Sequence, residues 1–299
     1  MRRSLVFGGL AGTAALVLVG VGVGAALART QATTVQLAGA MNSAKEAPAP
    51  TGNVSAARGT FTATATKTAS GGTLAWRLTF QGLTGPATAA HVHVGAVGQP
   101  GPVVVPLCGP CESGASGTAN MTEDTVNAIN AGNAYVNVHT DANKAGEVRA
   151  QVSVISTKRA ALNSRQEVPR PKGNVGRATG AFSYTLTKTG SATVLTWRLS
   201  FSRLTGRAVA AHIHVGARGK AGGVALALCG PCRSGATGRV ANVKASLLTA
   251  LEAGRAYVNV HTARNGGGEI RGQLPAPALT LGGGGASSSN SGGDLYPGG

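Results

Sequence analysis

AYVNVHT (Ala134–Thr140) returns letter for letter as Ala256–Thr262. Residues i and i+2 of a strand share a face. Tyr135, Asn137 and His139 therefore point one way and Val136 and Val138 the other, the alternation of a strand with one apolar face. The repetition extends outward from this stretch. AHVHVGAVGQPG (Ala90–Gly101) recurs as AHIHVGARGKAG (Ala211–Gly222), 121 residues on, and GEVRAQV (Gly146–Val152) recurs as GEIRGQL (Gly268–Leu274), 122 residues on. WRLTF at Trp76 recurs as WRLSF at Trp197. So long a period marks a duplicated domain rather than a solenoid, whose repeats run roughly 20–50 residues.

The other segments also read as β. TFTATAT (Thr60–Thr66) and AFSYTLT (Ala181–Thr187) alternate apolar and hydroxyl residues. Trp76, Leu78 and Phe80 fall on one strand face, as do Trp197, Leu199 and Phe201. With 4% aromatics and 46 glycines in 299 residues, short strands between Gly, Pro and Asn turns suit the chain better than long helices. One helix per copy is expected. Thr122 caps EDTVNAINA ahead of Gly132, and SLLTALEA precedes Gly254. The fold class is all-β, with each repeat an antiparallel sandwich carrying one short helix.

The expected domains are residues 31–156 and 158–275. Residues 1–28 read as a signal peptide, with two arginines, an apolar run and a closing Ala-Leu-Ala. The run is long enough that an uncleaved membrane anchor is the alternative. Residues 276–299 read as a flexible Gly/Ser tail. Each repeat carries its own Trp, strand set and helix and so should fold alone; residues 156–159 hold no Pro/Gly spacer, so the two should sit close together.

CGPC occurs at Cys108–Cys111 and Cys229–Cys232. A thioredoxin-type dithiol needs a following helix to depress the thiol pKa. Here ESGASG and RSGATG follow, which are turn formers. Each pair is therefore expected to close a local disulfide in an oxidising compartment.

All six histidines occupy matched places: His91, His93 and His139, then His212, His214 and His261. If Val92, Val94, Val136 and Val138 face the core, the imidazoles gather on an outer polar face. There, either three rings form an open shell for copper or zinc, or they bond loop carbonyls and fix turns. The matched Glu147/Arg149 and Glu269/Arg271 are expected to pair with charges on neighbouring strands.

The H-x-H strand, the YVNVHT strand and the closing GE[VI]R segment together resemble the chordin-type (CHRD) domain, found in the signalling antagonist chordin and in many secreted bacterial proteins. The resemblance covers essentially all of both repeats. It implies an immunoglobulin-like sandwich of the Cu,Zn superoxide dismutase kind. Carried onto this chain, that likeness places His91, His93 and His139, and His212, His214 and His261, at three copper-ligand positions. It then breaks. No histidine remains for a bridging or zinc ligand, and Asp141 is Ala263 in the second copy. Two-metal dismutation is not expected.

Charge separates the copies. Residues 29–157 hold 7 Lys+Arg against 6 Asp+Glu, net +1, and residues 158–299 hold 18 against 4, net +14. Such a field attracts polyanions, with Arg203, Arg207, Arg218, Lys220 and Arg233 the candidate contacts. The expected partners are an anionic envelope polymer or an extracellular protein. Neither a groove-reading element nor stacking aromatics for nucleic acid is visible, and a membrane would be reached only through an uncleaved leader. No catalytic set is complete. The sequence thus favours a non-enzymatic extracytoplasmic binding or adhesion protein (secreted, periplasmic or cell-surface), with a copper- or zinc-binding metalloprotein as the alternative.

Overall fold

The structure, a computed structural model, describes residues 33–282. The leader read at residues 1–28 and the tail from residue 283 onward lie outside them. No helix among the described residues is long and apolar enough to cross a membrane.

The first repeat contains β1 (Thr34–Asn42), β2 (Arg58–Thr68), β3 (Gly71–Gln81), β4 (Ala87–Val94), β5 (Val103–Cys108), β6 (Ser116–Met121), α1 (Glu123–Ala131), β7 (Ala134–Thr140) and β8 (Val148–Gln151). The second runs β9 (Ser153–Asn163), β10 (Thr179–Thr189), β11 (Ala192–Ser202), β12 (Ala208–Val215), β13 (Val224–Cys229), β14 (Thr237–Val240), α2 (Ala245–Glu252), β15 (Ala256–Thr262) and β16 (Ile270–Gln273). All strand pairs are antiparallel.

Each repeat is a sandwich of two half-sheets. In the first these are β6-β3-β2-β1 and β5-β4-β7-β8, joined where Asn42 meets Arg149. In the second they are β14-β11-β10-β9 and β13-β12-β15-β16, joined where Arg271 meets Asn163. The alternation read from the sequence supplies the inner faces: Leu37, Phe61 and Leu78 from one half-sheet and Val92, Val136 and Val138 from the other are all buried. Burying each such side chain contributes about 1.5–3 kcal/mol. At the closed corner the half-sheets nearly touch, and a Cβ on Gly39 would lie 2.8 Å from that of Ala150.

The helices fall where their signals stand. Thr122 Oγ1 accepts from the Thr125 N–H, and Gly132 closes α1 with φ 75°. No side chain caps α2, which is held instead by buried Leu247, Ala250 and Leu251.

The join lies within a strand. β9 pairs with β1 of the first repeat through Gln36–Ile155, Leu37–Val154 and Ala38–Ser153, and with β10 of the second along nearly its whole length. Thus β6-β3-β2-β1-β9-β10-β11-β14 is continuous, and the buried apolar side chains of both repeats form one connected core.

Part of the segment read as tail is packed. Leu279 and Leu281 are buried at 4% and 3% exposure. The Leu281 N–H donates to Asn130 Oδ1 and the Asn130 amide donates back to the Leu281 carbonyl. The Ala278 N–H donates to Ser156 Oγ on β9. The two leucines belong to the apolar core, which is why this part of the segment is ordered against the chain.

Candidate metal centre

β4 and β7 run side by side, with His91 opposite Asn137 and His93 opposite Tyr135. The valines face the core as expected, but the histidine face is not open. His93, His139, Tyr135, Asn137 and Arg149 are all buried, and His91 is half-buried. The cover is the loop after β4. The Arg149 guanidinium lies 3.4 Å over the Tyr135 ring and donates to the carbonyls of Ala96 and Gln99. Tyr135 stacks on its other face against His93, with centroids 4.7 Å apart.

One nitrogen from each of His91, His93 and His139 lies within 4.8 Å of the other two. His93 Nδ1 faces the Gly101 carbonyl at 2.9 Å, and His139 Nδ1 faces the Lys144 carbonyl at 2.9 Å. A carbonyl only accepts, so both Nδ1 atoms carry the proton and both Nε2 lone pairs point inward. His91 Nδ1 stands 3.1 Å from His139 Nε2. Buried His93 Nε2 has no hydrogen-bond partner. Gly101 makes the first of these carbonyl contacts possible, since a Cβ there would overlap the Val94 carbonyl oxygen.

The second repeat reproduces the arrangement. His212, His214 and His261 also bring their ligand atoms within 4.8 Å. His214 Nδ1 meets the Gly222 carbonyl and His261 Nδ1 the Gly266 carbonyl, each at 2.9 Å. His214 Nε2 has no partner, and Arg271 covers Tyr257 at 3.4 Å. Lys144 has become Gly266 without effect because only the carbonyl is used.

Burial holds His91 down to about 4, helped by His139 and His93. Burial likewise lowers His93, His139, His212 and His261. These rings are neutral at physiological pH, the state in which imidazole binds a metal.

The expected ion pairs of Glu147 and Arg149 are absent. Among the described residues the one ion pair is Lys67–Glu123. Arg149 serves the stack, as above. Buried Glu147 accepts from the Thr84 N–H at 2.7 Å, Thr84 Oγ1 at 2.5 Å, Thr140 Oγ1 at 2.7 Å and Asn143 Nδ2 at 3.2 Å. Burial alone would raise its pKa, but these donors hold it below the usual carboxylate value. Neutral hydroxyl and amide donors satisfy it, so no cation is needed. Glu269 repeats the pattern with Thr205, Thr262 and Asn265.

Sequence reasoning passed over Tyr135, Asn137 and Arg149 as parts of the site, and Glu46 altogether. Their identity in both copies was the available signal. Burial raises Glu46 and lifts its counterpart Glu167 to about 7, against the lowering pull of backbone N–H groups and of Arg149 and Arg271. Glu46 Oε2 and Asn137 Oδ1 both lack a donor, as do Glu167 Oε2 and Asn259 Oδ1. Burial favours the neutral, protonated form of each carboxyl there.

The cysteines are bonded as pairs, Cys108–Cys111 with Cα atoms 5.3 Å apart and Cys229–Cys232 with 5.2 Å. Turns follow both, not helices. Of the basic candidates, Arg203, Arg207 and Arg233 line one cleft beside Cys232. Arg218 and Lys220 do not line it. They sit on the loop after β12, whose Ala217 and Lys220 carbonyls hold Arg271.

Fold and site together define a duplicated β-sandwich with one buried-edge histidine triad per copy. The family model for the CHRD domain matches residues 35–152 and again 158–274, and the chain belongs to that family as a tandem pair. Neither a curated protein nor a solved structure matches it.

Proposed function

We propose that this chain is a non-enzymatic extracytoplasmic metal-binding protein, each repeat holding one copper or zinc ion. The ligands are His91, His93 and His139 in the first repeat and His212, His214 and His261 in the second. The observation that carries this reading is the inward-facing, partnerless Nε2 of His93 and of His214. A histidine that merely fixes a turn needs only its Nδ1 bond. Leaving the other buried nitrogen unbonded costs about 1–3 kcal/mol, which a metal ion would offset.

The backbone carbonyls on Nδ1 are the usual outer partners of a ligating imidazole. Metal–nitrogen bonds of about 2.0–2.1 Å put ligand nitrogens about 3.3–3.6 Å apart at tetrahedral to trigonal angles. The 3.1 Å separation of His91 Nδ1 and His139 Nε2 is close to that. An all-imidazole set suits copper and zinc over calcium or magnesium. Glu147 is fully engaged by its hydroxyl, amide and backbone donors. The two local disulfides fit an oxidising compartment, and export by residues 1–28 would deliver the chain there.

Elemental analysis of untagged protein exposed to copper and to zinc tests the reading. Two ions per chain are expected, one per chain after His93→Phe, and none after His93→Phe with His214→Phe. Failure of both metals to bind stoichiometrically refutes it.

A further inference from the structure

The second repeat carries a cleft of about 550 Å³ lined by Arg203, Arg207 and Arg233, next to Leu204, Pro231 and Cys232. None of the three guanidinium groups makes an ion pair or a side-chain hydrogen bond within the described residues. The corresponding places in the first repeat hold Gly82, Pro86 and Glu112. The same backbone therefore folds without these charges.

Arg203 shows more than exposure. Its φ is 56°, in the left-handed region, where Gly82 stands at 68° in the first copy. A long side chain there costs on the order of 1 kcal/mol that glycine avoids. An arginine kept at that cost, with no internal partner, points to use of its charge.

The cleft continues onto the sheet. Phe201 and Ser202 line it and also line the next depression, with Thr179, Ala181 and Ser200. Further along β11 a third depression holds Thr185, Thr196, Arg198, Thr237 and Arg239. At about 3.3 Å per residue, Thr196 to Ser202 spans about 20 Å. Rows of hydroxyls thus alternate with cations over the length of several sugar units. The exposed large apolar side chains among the described residues are all valines. Among the described residues there is no exposed aromatic platform for unstacked bases and no exposed bulky wedge for a bilayer.

From the arginine cleft and the hydroxyl track leading from it, we infer that the second repeat binds an anionic polysaccharide. The arginines would take its carboxylate or sulfate groups as bidentate partners, and the serines and threonines would exchange hydrogen bonds with its hydroxyls. The site is separate from the histidine triads; the first repeat shares part of the hydroxyl track, with Thr62, Thr64 and Thr118 beside Arg77, but lacks the arginine cleft.

The test uses the full chain and the triple variant Arg203→Gly, Arg207→Pro, Arg233→Glu, which gives the cleft the residues of the first repeat. Binding is measured to alginate (carboxylate) and dextran sulfate (sulfate), with polyphosphate and phosphatidylglycerol vesicles as comparators. The parent should bind at least one polysaccharide more tightly than either comparator. The variant should lose about tenfold or more, with a salt slope shallower by about 2–3. Arg203→Gly alone should weaken binding while leaving Tm unchanged or higher. No polysaccharide binding by the parent, variant affinity within twofold, tighter capture of a comparator, or a lower Tm for Arg203→Gly would each overturn the inference.

Discussion

Glu147→Gln should destabilise the first repeat far more than its isosteric shape suggests. The carboxylate accepts four hydrogen bonds, one on Oε1 from the Thr84 N–H and three on Oε2. An amide retains the three only by turning its NH2 toward the Thr84 N–H, so one bond is lost and two donors face each other. The other three lose their charge assistance. Hydrogen bonds to a charged group contribute about 1.5–3 kcal/mol each, about 1 kcal/mol more than neutral ones. One lost bond and three weakened by about 1 kcal/mol each come to about 5 kcal/mol. Linkage supplies the control. The folded pKa of Glu147 lies below its unfolded value, so its contribution is complete above the unfolded value of 4.5 and fades as pH falls through the folded pKa. Urea unfolding at pH 7 should show the gap of about 5 kcal/mol, and the gap should narrow toward pH 3. A gap under 1 kcal/mol at pH 7, or one that does not narrow in acid, refutes the reasoning.

His91 should titrate near 4 in metal-free protein, and an imidazole NMR titration centred near 6.5 would contradict the burial argument. Glu167 has its folded pKa raised to about 7, so its contribution is present below 4.5 and lost as pH rises through 7. Glu167→Gln should therefore match the parent near pH 4.5 and exceed it at pH 8 by about 1–2 kcal/mol in urea unfolding. The neutral amide avoids the buried charge that Glu167 takes on above its raised pKa; a variant less stable than the parent at pH 8 removes this reading. Ending the chain at residue 275 should cost about 3–5 kcal/mol through loss of buried Leu279 and Leu281, whereas ending it at 283 should cost nothing. Equal melting temperatures for the two truncations would deny the tail segment its role.

The faces of the strands were legible because alternation is local. Val136 and Val138 turn inward and His139 outward in both the reading and the structure. What covers an outer face is not local. The loop over His93 is held by Arg149, some fifty residues away, and periodicity says nothing of that partner. For the same reason Arg149 was expected beside a carboxylate, when it stacks on Tyr135 and bonds carbonyls. Self-similarity placed the repeats but located their join at residues 156–158, the middle of β9, because duplication preserves a pattern without regard to which strand shares it. The six histidines were found by that same pattern. The tautomers that make them a ligand set depend on two backbone carbonyls: that of residue 144, which any residue supplies, and that of Gly101, where the close approach of the Val94 carbonyl admits no Cβ.

The seam at β9 also sets how many copies this arrangement tolerates. The pairing of β1 with the start of β9 needs a chain that leaves β8 as continuous strand, as Val152, Ser153 and Val154 do. A third copy joined in the same way would need the residues after β16 to run on likewise. They are Leu274, Pro275, Ala276 and Pro277. Proline offers no N–H to a neighbouring strand, and two of them within three residues end the ladder. The chain turns instead toward α1, and the growing edge is closed. The prolines act as a terminator for this mode of joining, so extending the shared ladder past β16 would require editing that stop first.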